Sequence, residues 1–360
     1  MFHQLQPVLV KSYTEMLVLF NYQLTCAPAF RGQGIPFYEI LRESMNTTAG
    51  RSTLLSEKLN AQLKKILEAW SIFLSSPESR HVLVPDESGG WLSPSALAAL
   101  TRPFSSDDTG SLRFEEIFDC DPHKLYHGFE SWDAFFTRPL RPGIRLLEDP
   151  DESNVINSPC ECSFYNLQHN VADLDEFWIK GEVYSLRHMF NNDPDFTHDF
   201  VGGTIYQGFL SATSYHRWHS PVDGVVRKIT LIPGAYYVQS PTFVENLDDP
   251  NDHPYLHSQA FITSLTTRMV IFIESSNPAI GTMCFVAVGM VEVSTCEATV
   301  SVGETVRRGQ EIGMFHFGGS SFCMVFRPGM NIRWNEDVII AGAPVKVRGR
   351  LGVAAQAEPL

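Results

Sequence analysis

Two short segments of this 360-residue chain carry side chains arranged for chemistry. In Tyr215-His-Arg-Trp-His-Ser-Pro-Val-Asp-Gly224, His216 and His219 stand three residues apart between a strand-like run and a Pro/Gly turn. Two imidazoles this close supply an acid–base pair whose charge changes near neutral pH, a pair of metal ligands, or structural histidines satisfied within a core. The spacing is not that of a zincin, which needs a glutamate directly after the first histidine and a helix to carry both; Arg217 and Trp218 fill the gap and Pro221 stops a long helix. In Phe315-His-Phe-Gly-Gly-Ser-Ser-Phe322, two glycines permit unusual dihedrals just ahead of two hydroxyls. A serine there can approach the carbonyl immediately upstream, the geometry for attack on its own backbone. The plainer reading is a glycine-rich loop between buried strands. A Gly-x-Ser-x-Gly elbow is absent, because Phe322 stands where its second glycine would be.

These side chains need elements to hold them. From Leu54 to Leu74 the residues Leu55, Leu59, Leu63, Ile66, Leu67, Trp70, Phe73 and Leu74 recur at three- and four-residue steps, which predicts an amphipathic helix. Shorter helical patterns run over Val8 to Phe20 and Phe37 to Met45, and the polar stretch Ser105 to Gly110 is a plausible boundary. After Gly202 the pattern changes to β-branched and aromatic runs: Gly203 to Leu210, Gly224 to Ile232, Met269 to Glu274, Gly281 to Ser294 and Ala298 to Val302. Val302 and Val306 around Gly303-Glu304 predict a tight hairpin. The acidic stretch Glu245 to Pro254 reads as a solvated loop in preference to a lid or a calcium site.

Composition narrows the partners. Forty-one acidic against 27 basic residues give a formal charge of −14, so no electrostatic footprint for nucleic acid is present and anionic membrane surfaces are disfavoured. The longest apolar runs fall short of the roughly 20 residues that cross a bilayer, and no signal pattern opens the chain, so the expected compartment is the cytoplasm. Seven cysteines without framework spacing read as reduced thiols. Cys160 and Cys162 are expected on one side of a strand, with no second pair to complete a metal site.

Taken together, the histidine segment followed about a hundred residues later by Gly-Gly-Ser-Ser resembles the phosphatidylserine decarboxylase family. Phe135-Phe-Thr-Arg-Pro-Leu-Arg-Pro-Gly-Ile-Arg145, Lys180-Gly-Glu-Val-Tyr-Ser-Leu186 and Gly309-Gln-Glu-Ile-Gly-Met-Phe315 look like further family segments, in the right order from about Phe114 to Ile340. Met45-Asn-Thr-Thr-Ala-Gly50, Trp70 to Arg80 and Ser294-Thr-Cys-Glu-Ala-Thr-Val300 resemble the soluble fungal branch that includes L-tryptophan decarboxylase. The resemblance implies an α+β chain, with a helical region over 1–110 and a β-rich self-processing decarboxylase domain over 111–360.

It also implies a pyruvoyl cofactor made from Ser320, in place of pyridoxal phosphate and without a metal. Ser320 attacks the Gly319 carbonyl, elimination cuts the chain between the two residues, and loss of ammonia leaves a ketone at position 320. By the same analogy His219 is the base for cutting and His216 the proton donor in decarboxylation. The family's orienting aspartate falls at Glu161 in Ser158-Pro-Cys-Glu-Cys162, one methylene longer, with Asp223 as the nearest substitute. Tyr215, His316 and Ser321 are candidate pocket residues. The acidic balance and the lack of an anchor favour a free amino acid, tryptophan first, over phosphatidylserine. The two fragments are expected to stay associated, a homo-oligomer being compatible with this. Two other readings stand beside the enzyme: a non-processing scaffold or binding protein of the same fold, and a histidine-based metallohydrolase. The tail from Ala341 to Leu360 receives no role.

Overall fold

The computed structural model describes residues 10–30, 35–105, 112–174, 184–240, 258–292 and 295–355. The Lys180–Val183 part of one motif, most of the expected 105–110 boundary and the acidic stretch 245–254 lie outside the described residues. The N-terminal part is helical: α1 (Tyr13–Gln23), α2 (Pro36–Met45), α3 (Thr48–Leu54), α4 (Glu57–Leu74), α5 (Pro94–Thr101), α6 (Phe114–Ile117) and α7 (Trp132–Phe136). Local chemistry sets the starts. Ser12 Oγ accepts from Glu15 N at 3.1 Å and Thr47 Oγ1 from Gly50 N at 2.9 Å, and Pro36 opens α2 where a missing N–H costs nothing. From Glu57 the expected period is realised, with Leu63, Leu67, Trp70 and Leu74 buried, but Leu54 closes α3 and Leu55, expected on the same apolar face, caps that helix and is exposed. The first helix begins at Tyr13, after its serine cap, and not at Val8.

The β-rich part is antiparallel in all its named strand pairs. Its strands are β1 (Val155–Asn157), β2 (Cys162–His169), β3 (Thr204–Leu210), β4 (Arg217–His219), β5 (Gly224–Ile232), β6 (Arg268–Ser275), β7 (Thr282–Met290), β8 (Cys296–Ala298), β9 (Thr305–Val306), β10 (Glu311–Phe315), β11 (Gly319–Phe326), β12 (Asn331–Trp334), β13 (Pro344–Val345) and β14 (Arg350–Ala355). An eight-stranded sheet runs β13-β2-β3-β11-β7-β6-β5-β9, beside three-stranded sheets β4-β10-β8 and β1-β14-β12. Short helices α8 (Leu186–Met189), α9 (Thr197–Phe200) and α10 (Gln259–Leu265) fall between the strands.

Three local expectations differ. The valine pair makes no hairpin: a turn forms at Gly303, but β9 pairs with β5, while β10 pairs with β4 and β8 in another sheet. Cys160 precedes β2 instead of sharing it, although it and Cys162 enter the same apolar cluster. The Gly-Gly-Ser-Ser segment is strand from Gly319 onward, not loop.

The large sheet separates two cores. Cys323, Val325, Val286 and Val288 join the N-terminal helices in one apolar cluster, while Phe322, Met324, Phe326, Phe285 and Ala287 join Trp218, Ile312 and Phe315 in the other. The two-residue period of a strand divides β11 in this way. Gly208, opposite Phe322, has no room for a side chain: an added Cβ would lie 2.6 Å from the Phe322 ring and 2.8 Å from Cys162 Sγ. Gly208→Ala is therefore expected to destabilise the protein by about 1–3 kcal/mol through overpacking. A thermal melt checks this, and an unchanged Tm would contradict the packing described.

Candidate active site

Ser320 lies on the central strand β11, flanked by Leu210 of β3 and Gly289 of β7. Both of its neighbours in register are apolar or bare, the residue is fully buried, and its Oγ has no hydrogen-bond partner. The chain enters this strand through Gly318 at φ 141°, a backbone that side chains resist. Just upstream, Phe317 is held by an aromatic cage, with ring centroids 5.2 Å from Trp70 of α4, 4.6 Å from Trp132 of α7 and 5.4 Å from Phe136 of α7. The N-terminal helices thus grip the segment that precedes Ser320.

His216 is brought toward this segment by pairing: its carbonyl accepts from Phe315 N at 3.0 Å. Its ring is fully buried and stacks on Phe136 with centroids 3.9 Å apart. Burial, reinforced by the Arg138 guanidinium, pushes His216 down to about 3. Arg138 is itself buried and donates from Nη2 to the Thr213 and Ser214 carbonyls at 3.2 and 3.3 Å, fixing the turn that leads into Tyr215 and His216.

His219 sits opposite Glu311 in register, farther along the same pair of strands. Its Nδ1 lies 3.0 Å from the Gly309 carbonyl and its Nε2 3.1 Å from Tyr215 Oη. A proton on Nδ1 would be donated to the Gly309 carbonyl and leave the Nε2 lone pair facing the Tyr215 hydroxyl, whereas the Arg348 guanidinium beside Nδ1, a donor only, favours the opposite tautomer. Arg348 Nη2 stands 3.2 Å from Nδ1 while Arg348 Nε donates to the same Gly309 carbonyl at 2.9 Å. Burial, then the Arg348 charge, pushes His219 down to about 3.

The expected carboxylate–histidine bond is not formed. Glu161 is buried, but its carboxylate accepts from Arg145 at 2.6 and 2.9 Å and from Val347 N at 3.0 Å. Asp223 instead accepts from Arg308 N at 2.8 Å. A backbone carbonyl takes the orienting place beside His219, and Glu161 is linked to the imidazole at two removes, through Arg145, whose carbonyl lies 3.4 Å from Arg348 Nη1, and through Arg348. Arg145 and Arg348 both hold left-handed backbones, φ 55° and 65°, uncommon for side-chain-bearing residues and found where surroundings impose them.

The remaining candidates divide. Tyr215 is buried against His219. Ser321 points to the other side of the sheet from Ser320, where Gln207 Nε2 donates to it at 3.3 Å. His316 is bridged by Asp133 at 2.9 Å and Glu297 at 3.1 Å; burial opposes its charge, but the two carboxylates prevail and raise its pKa. Arg348 went unnoticed in the sequence because it lies in the tail assigned no role. Phe136, Arg138 and Arg145 all stand in the Phe135–Arg145 segment, which was the available signal.

Comparison with known proteins bears on the family. A phosphatidylserine decarboxylase family model matches residues 132–352, and a second model of that description matches residues 3–100. An L-tryptophan decarboxylase from Psilocybe cubensis is 41% identical over 353 residues, covering 91% of this chain and 79% of that protein. Decarboxylase iboD from Amanita muscaria is 42% identical, covering 88% of this chain and 91% of that protein. Phosphatidylserine decarboxylase proenzyme 3 of Schizosaccharomyces pombe is 31% identical over 63% of this chain and 22% of its own length. Among the described residues no helix is long and apolar enough to cross a membrane. With an α+β fold and matches over most of its length, the chain is a decarboxylase that belongs to the phosphatidylserine decarboxylase family.

Proposed function

We propose that the chain cuts itself between Gly319 and Ser320 and then decarboxylates a free aromatic amino acid, tryptophan to tryptamine first. The observation that carries this reading is the buried, unbonded Ser320 hydroxyl directly after Gly318-Gly319, on the strand that central pairing holds rigid. An unsatisfied buried hydroxyl costs free energy of about 1–3 kcal/mol and is retained where it has a task.

Cutting begins when Ser320 Oγ attacks the Gly319 carbonyl carbon as a base takes its proton. The C–N bond breaks, giving an ester and a free amine on residue 320. Removal of the Ser320 Cα proton and cleavage of Cβ–Oγ then release the Gly319 carboxylate and leave dehydroalanine, which takes up water and loses ammonia. The base must be neutral beforehand, and the depressed pKa of His219 keeps it so. With the His219 proton on Nδ1, donated to the Gly309 carbonyl, Nε2 is aimed without a carboxylate, Tyr215 lying at the end of that lone pair.

Residue 320 fits the group this requires, its side-chain oxygen being buried and unbonded. A ketone there would supply an electron sink for the loss of carbon dioxide from a bound amino acid. His216, buried on the strand that pairs with Phe315, is the residue proposed to bring a proton to the carbon that has lost carbon dioxide. The name of the Psilocybe cubensis relative, an L-tryptophan decarboxylase that is 41% identical to this chain, supports an amino acid substrate.

Ser320→Ala is expected to stay a single inactive chain on a denaturing gel, and decarboxylation by that variant would refute the assignment. His219→Ala should leave the chain uncut; normal cutting would remove His219 as the base. His216→Ala should still cut but lose roughly 10²–10⁴-fold in kcat, and full turnover would contradict its role.

Both histidines have folded pKa values of about 3, below the unfolded value near 6.5. Their neutral burial contributes stability that is complete above about pH 6.5 and is lost as pH falls toward 3. The Tm of the Ser320→Ala chain should drop between pH 6.5 and 5, and adding His216→Asn and His219→Asn should flatten that drop. An unchanged slope would show that the rings are not buried neutral.

A further inference from the structure

Between β10, which ends at Phe315, and β11, which begins at Gly319, the chain passes from one sheet to another through His316, Phe317 and Gly318. This short connector leads straight into the Gly319–Ser320 bond. His316 N donates to the Thr295 carbonyl at 3.3 Å, while Gly318, at φ 141°, has no side chain to anchor. The hold on the connector therefore comes from two side chains, Phe317 in its aromatic cage and His316 beside it.

His316 is gripped at both ends of its ring. Nδ1 lies 2.9 and 3.0 Å from the two carboxylate oxygens of Asp133 on α7, and Nε2 lies 3.1 Å from Glu297 Oε2 on β8. A neutral imidazole has one N–H and a carboxylate only accepts, so both contacts are satisfied together only by the imidazolium. Neither Asp133 nor Glu297 has another ion-pair partner among the described residues. The remaining titratable group on the small pocket beside His316 is Glu292, from the segment after β7, and no lysine or arginine lines that pocket. Burial opposes the charge on the ring, but the hydrogen bonds and charges of Asp133 and then Glu297 outweigh it and raise His316 above its ordinary value of 6.5.

Helix α7 joins this grip to the rest of the site. Besides Asp133 it supplies Trp132 and Phe136 to the Phe317 cage, and Phe136 stacks on His216. The helix is itself pinned, Ser131 Oγ accepting from Ala134 N at 3.0 Å and Ser79 Oγ from Trp132 N at 2.8 Å. The Asp133–His316 contact thus sets the connector against the same helix that sets His216.

Resting on the proposed self-cutting, we propose that His316 is a positioning residue for that step: its imidazolium, held between Asp133 and Glu297, fixes the connector ahead of Gly319, and cutting slows when the ring loses its proton. The clamp is complete below about pH 6.5 and is lost as pH rises through the raised folded value. His219, pushed down to about 3, stays neutral across this range and does not shape it. The test makes the full chain by cell-free translation, moves it into buffers between about pH 6 and 9, and times cutting on denaturing gels. Wild type should cut about tenfold more slowly at the upper end, as for one lost charge-assisted hydrogen bond. Glu297→Gln, a change at an exposed side chain, should move the midpoint of that fall to lower pH. His316→Gln should cut slowly with a flat profile, a thermal melt confirming that it folds; an unfolded His316→Gln leaves the decision to the Glu297→Gln midpoint. A wild-type rate that does not fall with pH, a fall that persists in folded His316→Gln, or an unmoved midpoint in Glu297→Gln would overturn the assignment. In the uncut Ser320→Ala chain, protection of the His316 amide against hydrogen exchange, corrected for the intrinsic rate, should fall through the same range, and constant protection would refute the clamp. Falling protection there, with a wild-type chain that never cuts, would refute the self-cutting reading instead.

Discussion

The constraint on which the site depends is the burial of reactive polar atoms without partners. Ser320 Oγ is fully enclosed and makes no hydrogen bond, and the His216 ring is fully buried beside Phe136. Each such atom opposes folding by an amount comparable to a lost hydrogen bond, so the surroundings must over-determine its place. They do so by pairing β11 on both edges through its whole length, by stacking Phe136 on the imidazole, and by spending the buried Arg138 on the turn ahead of it. Rigidity of the strand thus holds the unbonded Ser320 hydroxyl in place.

A second theme is the use of arginine and backbone where a carboxylate was expected. The substitution of Glu for the family's Asp at position 161 accompanies a rearranged partnership: Glu161 pairs with Arg145, and His219 is oriented by the Gly309 carbonyl beside Arg348. A carboxylate next to an imidazole favours the imidazolium, whereas a guanidinium disfavours it. The environment of His219 therefore holds the neutral ring, the form a base needs, and the buried Glu161–Arg145 pair keeps the arginine-rich corner in shape. Removing either partner of that pair would leave a buried charge uncompensated.

Much of this was legible in the sequence, for physical reasons that differ by element. The period of α4 survives because one face of a long helix must be apolar, and β5 spans Gly224–Ile232 as expected because its β-branched run suits a strand. The chemistry-bearing segments were visible because His-x-x-His and Gly-Gly-Ser-Ser are unusual compositions. Other features were not legible. Ser320 and Ser321 do not read as a central strand, since polarity hides a position whose burial is imposed by function. The Val302–Val306 pair looks like a hairpin locally, but each strand finds a better partner at long range. Arg348 carries no local signal, because its importance comes from a turn that folds back onto Gly309 from a distant part of the chain.

The N-terminal helices acquire a purpose in this account. Trp70 and the α7 aromatics grip Phe317, and α2 is tied to the β-rich part where buried Glu292 accepts from the Phe37 and Tyr38 amides at its start. The measurement that tests the central claim most directly is the intact mass of freshly purified protein. The account predicts two pieces meeting between Gly319 and Ser320, the smaller of 41 residues and lighter by one ammonia than hydrolysis alone would leave it. A single unbroken chain that persists on incubation would contradict it.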